Sequence, residues 1–591
     1  MKNLYCYLIL LTLSLFLNKV KAQNKTLKYP VDLRVGIMGA PSFPLVEWND
    51  KNVLELKNRG FNAMQLNIAW GYRPDNNPLN LEDVLVLPKK FELPVDIDST
   101  LNINVGSSKT FIRSPDKIAA RAKELKHRIA MCKKYGLRSI FHFGAPFVAY
   151  SPVEPLSQCI SSPLTNERYV TLIQNFYKEF PGVDDLLIYT YDQNAWLCSE
   201  VGPCPYCHGK PLDQRVAAFI NKLGQTWKKL NPSGTIWWEP WEISAGQVYK
   251  TIDMLDPSCI SLSIHSSIAE VQVAFPADRW FKNVLNKAAE RKINVLGELW
   301  LGGATEELEP YTNIAAPLTT LHALRAVYNA GKLKGLKEYY GIIPGKEDAN
   351  LRMTSIFFKD PGISDKAAMT QLTNVYGAVS KEVSEYWKLT SEAIEFYPWD
   401  VSWLAREVGR SDPDHLLSSA VLKGASWQTP SWQSSRRSAF MRTDQTDEPN
   451  FWMREDIQLR CEQAALKMKQ AIELAKSISS KVPEAYKDYF VKSITELEGF
   501  KRTTLCYVYH LRETNLANIM RASLAAGQSI LNENIDEMKE LLNTDKANMI
   551  NAAPIDAAIN LFQSDIKEFL KKYFIHTKPT NAKAGWNITS N

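Results

Sequence analysis

The stretch SPDKIAARAKELKHRIAMCKKYG, residues 114–136, runs directly into LRSIFHFGAPF, residues 137–147, and this junction decides how the chain reads. The first part is amphipathic at helical spacing, and the second is a short, apolar, β-like run. The same kind of unit recurs along the chain. The β-like runs are DLRVGIMGA (32–40), FNAMQLNIAWG (61–71), LRSIFHFGAPF, DLLIYTYD (185–192), TIWWEPWE (235–242), CISLSIHSS (259–267), INVLGELWLGG (293–303) and LKEYYGIIP (336–344). Longer helical stretches such as NERYVTLIQNFYKEF (166–180) lie between most of them. Strand-then-helix repeated eight times predicts a (β/α)8 TIM barrel. A doubly wound sheet usually offers fewer strands and a glycine-rich phosphate loop, and the sequence has no such loop. The proline-rich insertion at 73–108 is expected to elaborate the upper face.

Past the eighth run the pattern becomes helical. EDIQLRCEQAALKMKQAIELA (455–475) sets Ile457, Cys461, Ala464, Met468 and Ala475 on one stripe. A polar, aromatic loop at 424–452, with Trp427, Trp432, Arg436 and Arg437, interrupts this region. The expected organisation is a signal peptide at 1–22, a catalytic barrel at 23–348, an α-helical C-terminal domain at 349–580 and a loose tail at 581–591.

The first residues, MKNLYCYLILLTLSLFLNKVKAQ, are a basic start, an apolar run and a small-residue exit, which reads as a cleaved secretory signal. Secreted or periplasmic residence is expected, with no membrane span in the mature chain, because the apolar run is too short for one. The formal net charge of +6 falls to +3 once Lys2, Lys19 and Lys21 leave. That balance argues against nucleic acid as a partner. The oligomeric state is not legible.

In such a barrel the catalytic groups project from the C-terminal ends of the strands. The fourth run ends at Asp192, followed closely by Trp196. The fifth offers Glu239 and Glu242 beside Trp238, and the seventh Glu298 beside Trp300. His142 and His265 stand on the third and sixth runs, Tyr339 and Tyr340 on the eighth, and Trp70 on the second. Carboxylates gathered among indoles suit glycosidic bond hydrolysis, in which one acid protonates the leaving oxygen and a second group attacks or stabilises the sugar carbon. The expected catalytic set is Asp192, Glu239, Glu298 and Glu242. The expected substrate contacts are Trp70, His142, Trp196, Trp238, His265, Trp300, Tyr339 and Tyr340. No third histidine stands at a strand end, so the two histidines are assigned to sugar hydroxyls, and no cofactor is expected for catalysis. An oligo- or polysaccharide is the expected partner. Two other readings stay open: a non-catalytic glycan-binding barrel, and a polysaccharide lyase using Tyr339, Tyr340 and His265.

Signal, barrel, an acid leading into CPYCHGK (204–210) and a helical C-terminal domain together resemble secreted bacterial glycoside hydrolases of the Bacteroidetes type. These barrels are related to the β-hexosaminidases and α-glucuronidases. The resemblance implies a proton donor at the fourth strand, here Asp192, and a nucleophile at the seventh, here Glu298. Gln193 stands where β-hexosaminidases carry the Glu of an Asp-Glu pair, so the resemblance does not extend to substrate-assisted cleavage.

Cys198, Cys204 and Cys207 crowd one loop, and Cys159 or His208 is available as a further ligand. The spacing reads as a structural zinc knuckle at Cys159, Cys198, Cys204 and Cys207. An exported protein also forms disulfides readily, and the two readings stand side by side.

Overall fold

The computed structural model describes residues 30–40, 43–68, 80–91, 114–145, 159–189, 200–202, 204–240, 243, 245–266, 277–308, 311–399 and 451–574. Eight parallel strands close into a barrel in sequence order. They are β1 (Leu33–Ile37), β2 (Ala63–Gln65), β3 (Arg138–Gly144), β4 (Asp185–Tyr189), β5 (Ile236–Glu239), β6 (Ile260–His265), β7 (Val295–Leu299) and β8 (Gly335–Glu338). Closure is made by β1 and β8, with Leu33 opposite Gly335. A Cβ on Gly335 would lie 2.1 Å from the Leu33 carbonyl oxygen, so that seam requires glycine.

The helices of the outer ring are α1 (Asp50–Asn58), α2 (Pro115–Tyr135), α3 (Pro163–Glu179), α4 (Leu212–Leu230), α5 (Ala245–Ile252), α6 (Arg279–Glu290), α7 (Pro317–Asn329) and α8 (Ala349–Lys359). The stretch at 114–136 shows how local chemistry sets them. The Ser114 hydroxyl accepts from the Lys117 amide, Pro115 occupies the first turn, and Gly136 ends the helix at φ +63°. Phe358 of α8 meets Phe61 edge-on at 5.5 Å and lies under the Arg34 guanidinium. The helical ring is therefore completed by residues past the 348/349 division that the sequence pattern suggested.

Two apolar cores follow from strand alternation. Leu33, Val35, Ala63, Ile140, Leu187, Trp237 and Leu296 fill the barrel interior. Phe141, Leu186, Ile188, Trp238, Leu262 and Ile264 point the other way, into the shell between strands and helices. Asp185 anchors the N-terminal side of the barrel. It takes two 2.6 Å hydrogen bonds from Arg138 and one each from the Thr235 amide and the Trp237 indole.

Beyond the ring come α9 (Asp365–Thr373), α10 (Ser380–Phe396), α11 (Phe451–Ile478), α12 (Glu484–Ala525), α13 (Asn532–Asn548), α14 (Ala553–Ser564) and α15 (Ile566–Tyr573). Ile457, Cys461, Ala464, Met468 and Ala475 are all fully buried, as their stripe requires. Aromatic pairs such as Tyr386–Phe490 (5.4 Å) join α10 to α12. Glu496 of α12 accepts hydrogen bonds from the backbone and side chain of Asn313, in the segment after β7. This ties the helical region to the barrel's upper side.

Candidate active site

The same alternation that packs the interior places polar groups one layer above it. On β5, Trp237 faces inward and so does Glu239, two residues on. On β6, Ser263 and His265 follow the same rule, as does Glu298 on β7. Register then fixes neighbours: His265 pairs with Glu298, and Glu298 with Lys337 of β8. Tyr189 stands opposite Glu239 across β4 and β5.

The resulting cluster is compact. His265 Nε2 lies 3.2 Å from Glu298 Oε2 and 3.6 Å from Glu239 Oε1. His142 Nε2 lies 3.5 Å from Glu239 Oε2. Lys337 Nζ is 3.3 Å from Glu298 Oε1 and 4.0 Å from Glu239 Oε2. The Ser263 hydroxyl donates a short hydrogen bond to Glu298 Oε1. Glu298 is fully buried, while Glu239, His142 and His265 keep 5%, 3% and 7% of their surface exposed.

Gln65 and Asn67 set the position of His142. The Gln65 amide donates to the Asn67 carbonyl at 2.7 Å and lies 3.3 Å from His142 Nδ1. With Gln65 as donor, the ring proton sits on Nε2, toward Glu239. Asn67 also bonds both backbone groups of His142. Tyr189 packs edge-on against His142, and Tyr339 against His265.

The two glutamates are driven in opposite directions. Burial raises the Glu239 pKa and the neighbouring Glu298 charge raises it further, against the opposing pull of Lys337 and His265. Burial acts upward on Glu298 too, but there the Lys337 ammonium, His265 and the Ser263 hydroxyl outweigh it. They hold its carboxyl well below the usual range. Lys337 in turn is raised: burial works against its charge, and Glu239 and Glu298 more than restore it. One carboxyl is poised to keep a proton and its neighbour to remain an anion.

Of the expected site residues, the structure brings together Glu239, Glu298, His142, His265 and Tyr339. Tyr340 packs at a tilt against Tyr339, with ring centroids 5.7 Å apart, and is 2% exposed. Trp238 and Trp300 are not brought to the cluster. Trp238 faces the outer shell because it alternates with Glu239, and Trp300 is buried in that same larger core. Neither has a free ring face for a sugar. Asp192, Glu242, Trp70, Trp196 and Cys198 lie outside the described residues.

Lys337, Glu338 and Ser263 were not singled out from the sequence. Glu338 accepts from the Leu301 and Tyr340 amides at 2.9 Å each and fastens the end of β7 to the end of β8. Burial pushes its pKa up to about 8. The available signal was a Lys-Glu pair inside a barrel strand, where both faces are buried. Charged residues there need partners, and Glu298 is the neighbour in register.

Cys159, Cys204 and Cys207 also converge, although 45 residues of chain separate the first two. Cys159 Sγ lies 2.9 Å from Cys207 Sγ and 3.7 Å from Cys204 Sγ. Burial and the neighbouring thiols push the Cys159 pKa up to about 12.

Fold and site together define a closed parallel (β/α)8 barrel with a buried acid–base cluster at the C-terminal end of its strands. No family model and no curated protein matches the chain. Among solved structures, it is similar to a GH138 enzyme targeting pectin rhamnogalacturonan II, with a TM-score of 0.57 and 10% identity. That likeness covers 88% of this chain and 62% of the other, so this chain spans less than two thirds of the enzyme's length. It is also similar to an O-GlcNAc hydrolase of Thermobaculum terrenum, with a TM-score of 0.38 and 10% identity over 92% of this chain and 94% of that one. At 10% identity, the likeness to the GH138 enzyme shows the barrel fold.

Proposed function

We propose that the protein is a glycoside hydrolase in which Glu239 is the proton donor and Glu298 the anionic partner. One observation carries this reading: two inward-facing glutamates, on β5 and β7, share His265 and Lys337, and both of these basic groups lie closer to Glu298 (3.2 and 3.3 Å) than to Glu239 (3.6 and 4.0 Å), which favours the anion on Glu298 and the proton on Glu239. Their nearest carboxylate oxygens lie within 4.8 Å of each other. This close approach favours the retaining arrangement, whose carboxyl groups stand ~5–5.5 Å apart, over the ~6.5–9.5 Å that admits a water for inversion. In the retaining course, Glu298 forms a bond to the anomeric carbon as the glycosidic C–O bond breaks. Glu239 delivers its proton to the departing oxygen, then takes one from the water that releases the sugar. His142 and His265 are suited to sugar hydroxyls, and Lys337 keeps Glu298 charged.

The likeness to a GH138 enzyme supports a barrel of the kind glycoside hydrolases use and does not name the sugar. Lys337 also supports catalysis without a metal. Glu239, His265 and Glu298 have metal-ligand spacing, but an ammonium already lies against both carboxylates and supplies the positive charge. The N-terminal sequence, which reads as a secretory signal, supports a role outside the cytoplasm, and an oligo- or polysaccharide is the proposed substrate. No helix among the described residues is long and apolar enough to cross a membrane.

The test is a panel of aryl glycosides and natural glycans. Glu298→Gln should lose nearly all turnover on every substrate. Glu239→Gln should lose it on natural glycan and keep it selectively where the leaving group needs no proton. Full turnover on glycan by both variants would leave glycan binding as the better account. Tyr339 beside His265 keeps a lyase reading in view, and an ultraviolet-absorbing unsaturated product identifies that outcome directly.

A further inference from the structure

We infer that Cys159, Cys204 and Cys207 form a thiolate site for a structural zinc ion, which fastens the loop after β3 to the loop after β4. The observation is convergence. Cys159 stands four residues before α3, and Cys204 and Cys207 stand just before α4, yet all three sulfur atoms lie within 4.8 Å of one another. Cys159 and Cys207 are fully buried and Cys204 is half-buried. A Zn–S bond of ~2.3 Å in tetrahedral geometry sets neighbouring sulfurs about 3.8 Å apart. The Cys159–Cys204 distance of 3.7 Å matches that edge. The Cys159–Cys207 pair, at 2.9 Å, has to open by less than about 1 Å to reach it.

Local backbone supports the same reading. The Cys204 carbonyl accepts from the amides of Cys207 and His208, folding CPYC into a tight turn that presents both thiols on one side. The Cys207 carbonyl accepts from Lys210, and Gly209 takes φ +71°, a left-handed conformation that releases the chain toward α4. His208 is exposed, and its Nδ1 lies 3.1 Å from the Gly202 carbonyl. It is not among the groups that converge with the sulfurs, which sets aside one ligand the sequence offered. A single disulfide among these three would leave one sulfur packed against the bridge, whereas a metal engages all three, and the 3.7 Å Cys159–Cys204 separation fits the metal. On binding, each of the three thiols gives up its proton and donates a sulfur lone pair to the cation, with no change of oxidation state.

The experiment needs no substrate, so its outcome is independent of the proposed hydrolase activity. The full chain is purified from zinc-supplemented medium and examined by metal analysis, by thiol titration after denaturation without reductant, and by melting with and without chelator. About one equivalent of zinc is expected, with every cysteine titrating as a thiol and a lower melting temperature after chelation. Cys204→Ser and Cys207→Ser should lose the zinc, whereas Cys132→Ser, a buried thiol on α2, should keep it. If the site variants fail to fold, zinc-edge X-ray absorption of the wild-type protein decides: a shell of three or more sulfurs at about 2.3 Å is expected. Zinc-free protein with a mapped disulfide, iron in place of zinc, or a shell of oxygen and nitrogen alone overturns the proposal.

Discussion

Replacing Lys337 with Met removes the cation that sets the charge of the whole cluster, and the consequence is calculable. At an effective dielectric constant of about 20, a charge 3.3 Å away acts on Glu298 with about 5 kcal/mol, and one 4.0 Å away acts on Glu239 with about 4 kcal/mol. At about 1.4 kcal/mol per pH unit, these are ceilings of about 4 and 3 units on the respective pKa values. His265 and Ser263 remain beside Glu298, and water entering the vacated volume screens the rest. A rise of about 2 units on the acidic limb, and a smaller rise on the alkaline limb, is therefore expected. The sign follows from the roles. Activity needs Glu298 ionised and Glu239 protonated, and loss of Lys337 lets both carboxyls hold their protons to higher pH. The bell in kcat/KM should move bodily toward alkaline pH and narrow. Stability follows the same linkage. The depressed Glu298 pKa contributes stability above its unfolded value, which is lost as pH falls through the folded value. The raised Lys337 pKa contributes stability below its unfolded value, which is lost as pH rises through the folded one. Breaking such a buried pair costs roughly 3–5 kcal/mol, so the profile is measured well below the variant's melting temperature, with folding checked by circular dichroism. A variant with lowered kcat and an unmoved bell would refute the assignment of Lys337 as the group that sets these protonation states.

Three further outcomes follow from the geometry. Proton NMR of the first-formed product should show the anomer of the substrate, as the proposed attack by Glu298 requires; the opposite anomer removes Glu298 as nucleophile. Asp185→Ala strips the acceptor from Arg138, Thr235 and Trp237 together. It should lower unfolding free energy in urea by roughly 3–5 kcal/mol, and a loss under about 0.5 kcal/mol, that of a surface substitution, contradicts its anchoring role. Trp238→Phe should cost roughly 1–3 kcal/mol of stability and leave KM for glycan unchanged, whereas a large rise in KM would return the indole to the substrate.

The barrel was legible because its evidence is periodic. Eight apolar runs separated by amphipathic helices leave few alternatives, and the stripe from Ile457 to Ala475 marked helical packing beyond them. The site was legible in part for a related reason. Strand ends locate Glu239, Glu298, His142 and His265, but which face of a strand a residue takes depends on register. Trp238 and Glu239 are neighbours in sequence and opposites in space, so adjacency to tryptophan misdirected the reading of the indoles while leaving the acid in place. Lys337 escaped for a different reason. A lysine between leucine and glutamate in LKEYY suggests a solvated edge unless the strand is known to be closed on both sides.

Closure changes the meaning of that residue. Inside a barrel, the alternation that places Val35, Ala63 and Leu296 in the interior also commits Gln65, Glu298 and Lys337 to the axis, one step up each strand. A buried anion at Glu298 is costly without a cation, and the register supplies one from the adjoining strand. The requirement is reciprocal, because Lys337 has no route to solvent once the seam between β1 and β8 closes on Gly335. The step from apolar layer to polar layer therefore does two things with one arrangement. It satisfies the charges that the fold has buried, and it fixes Glu298 as the anion against which Glu239 keeps its proton. Substitutions at Glu298 and Lys337 should accordingly be coupled: the double variant Glu298→Gln/Lys337→Met should be more stable than either single variant, although it is inactive. Additive destabilisation, measured by a double-mutant cycle in urea, would show that the two charges are held independently and that the polar layer is not the unit described here.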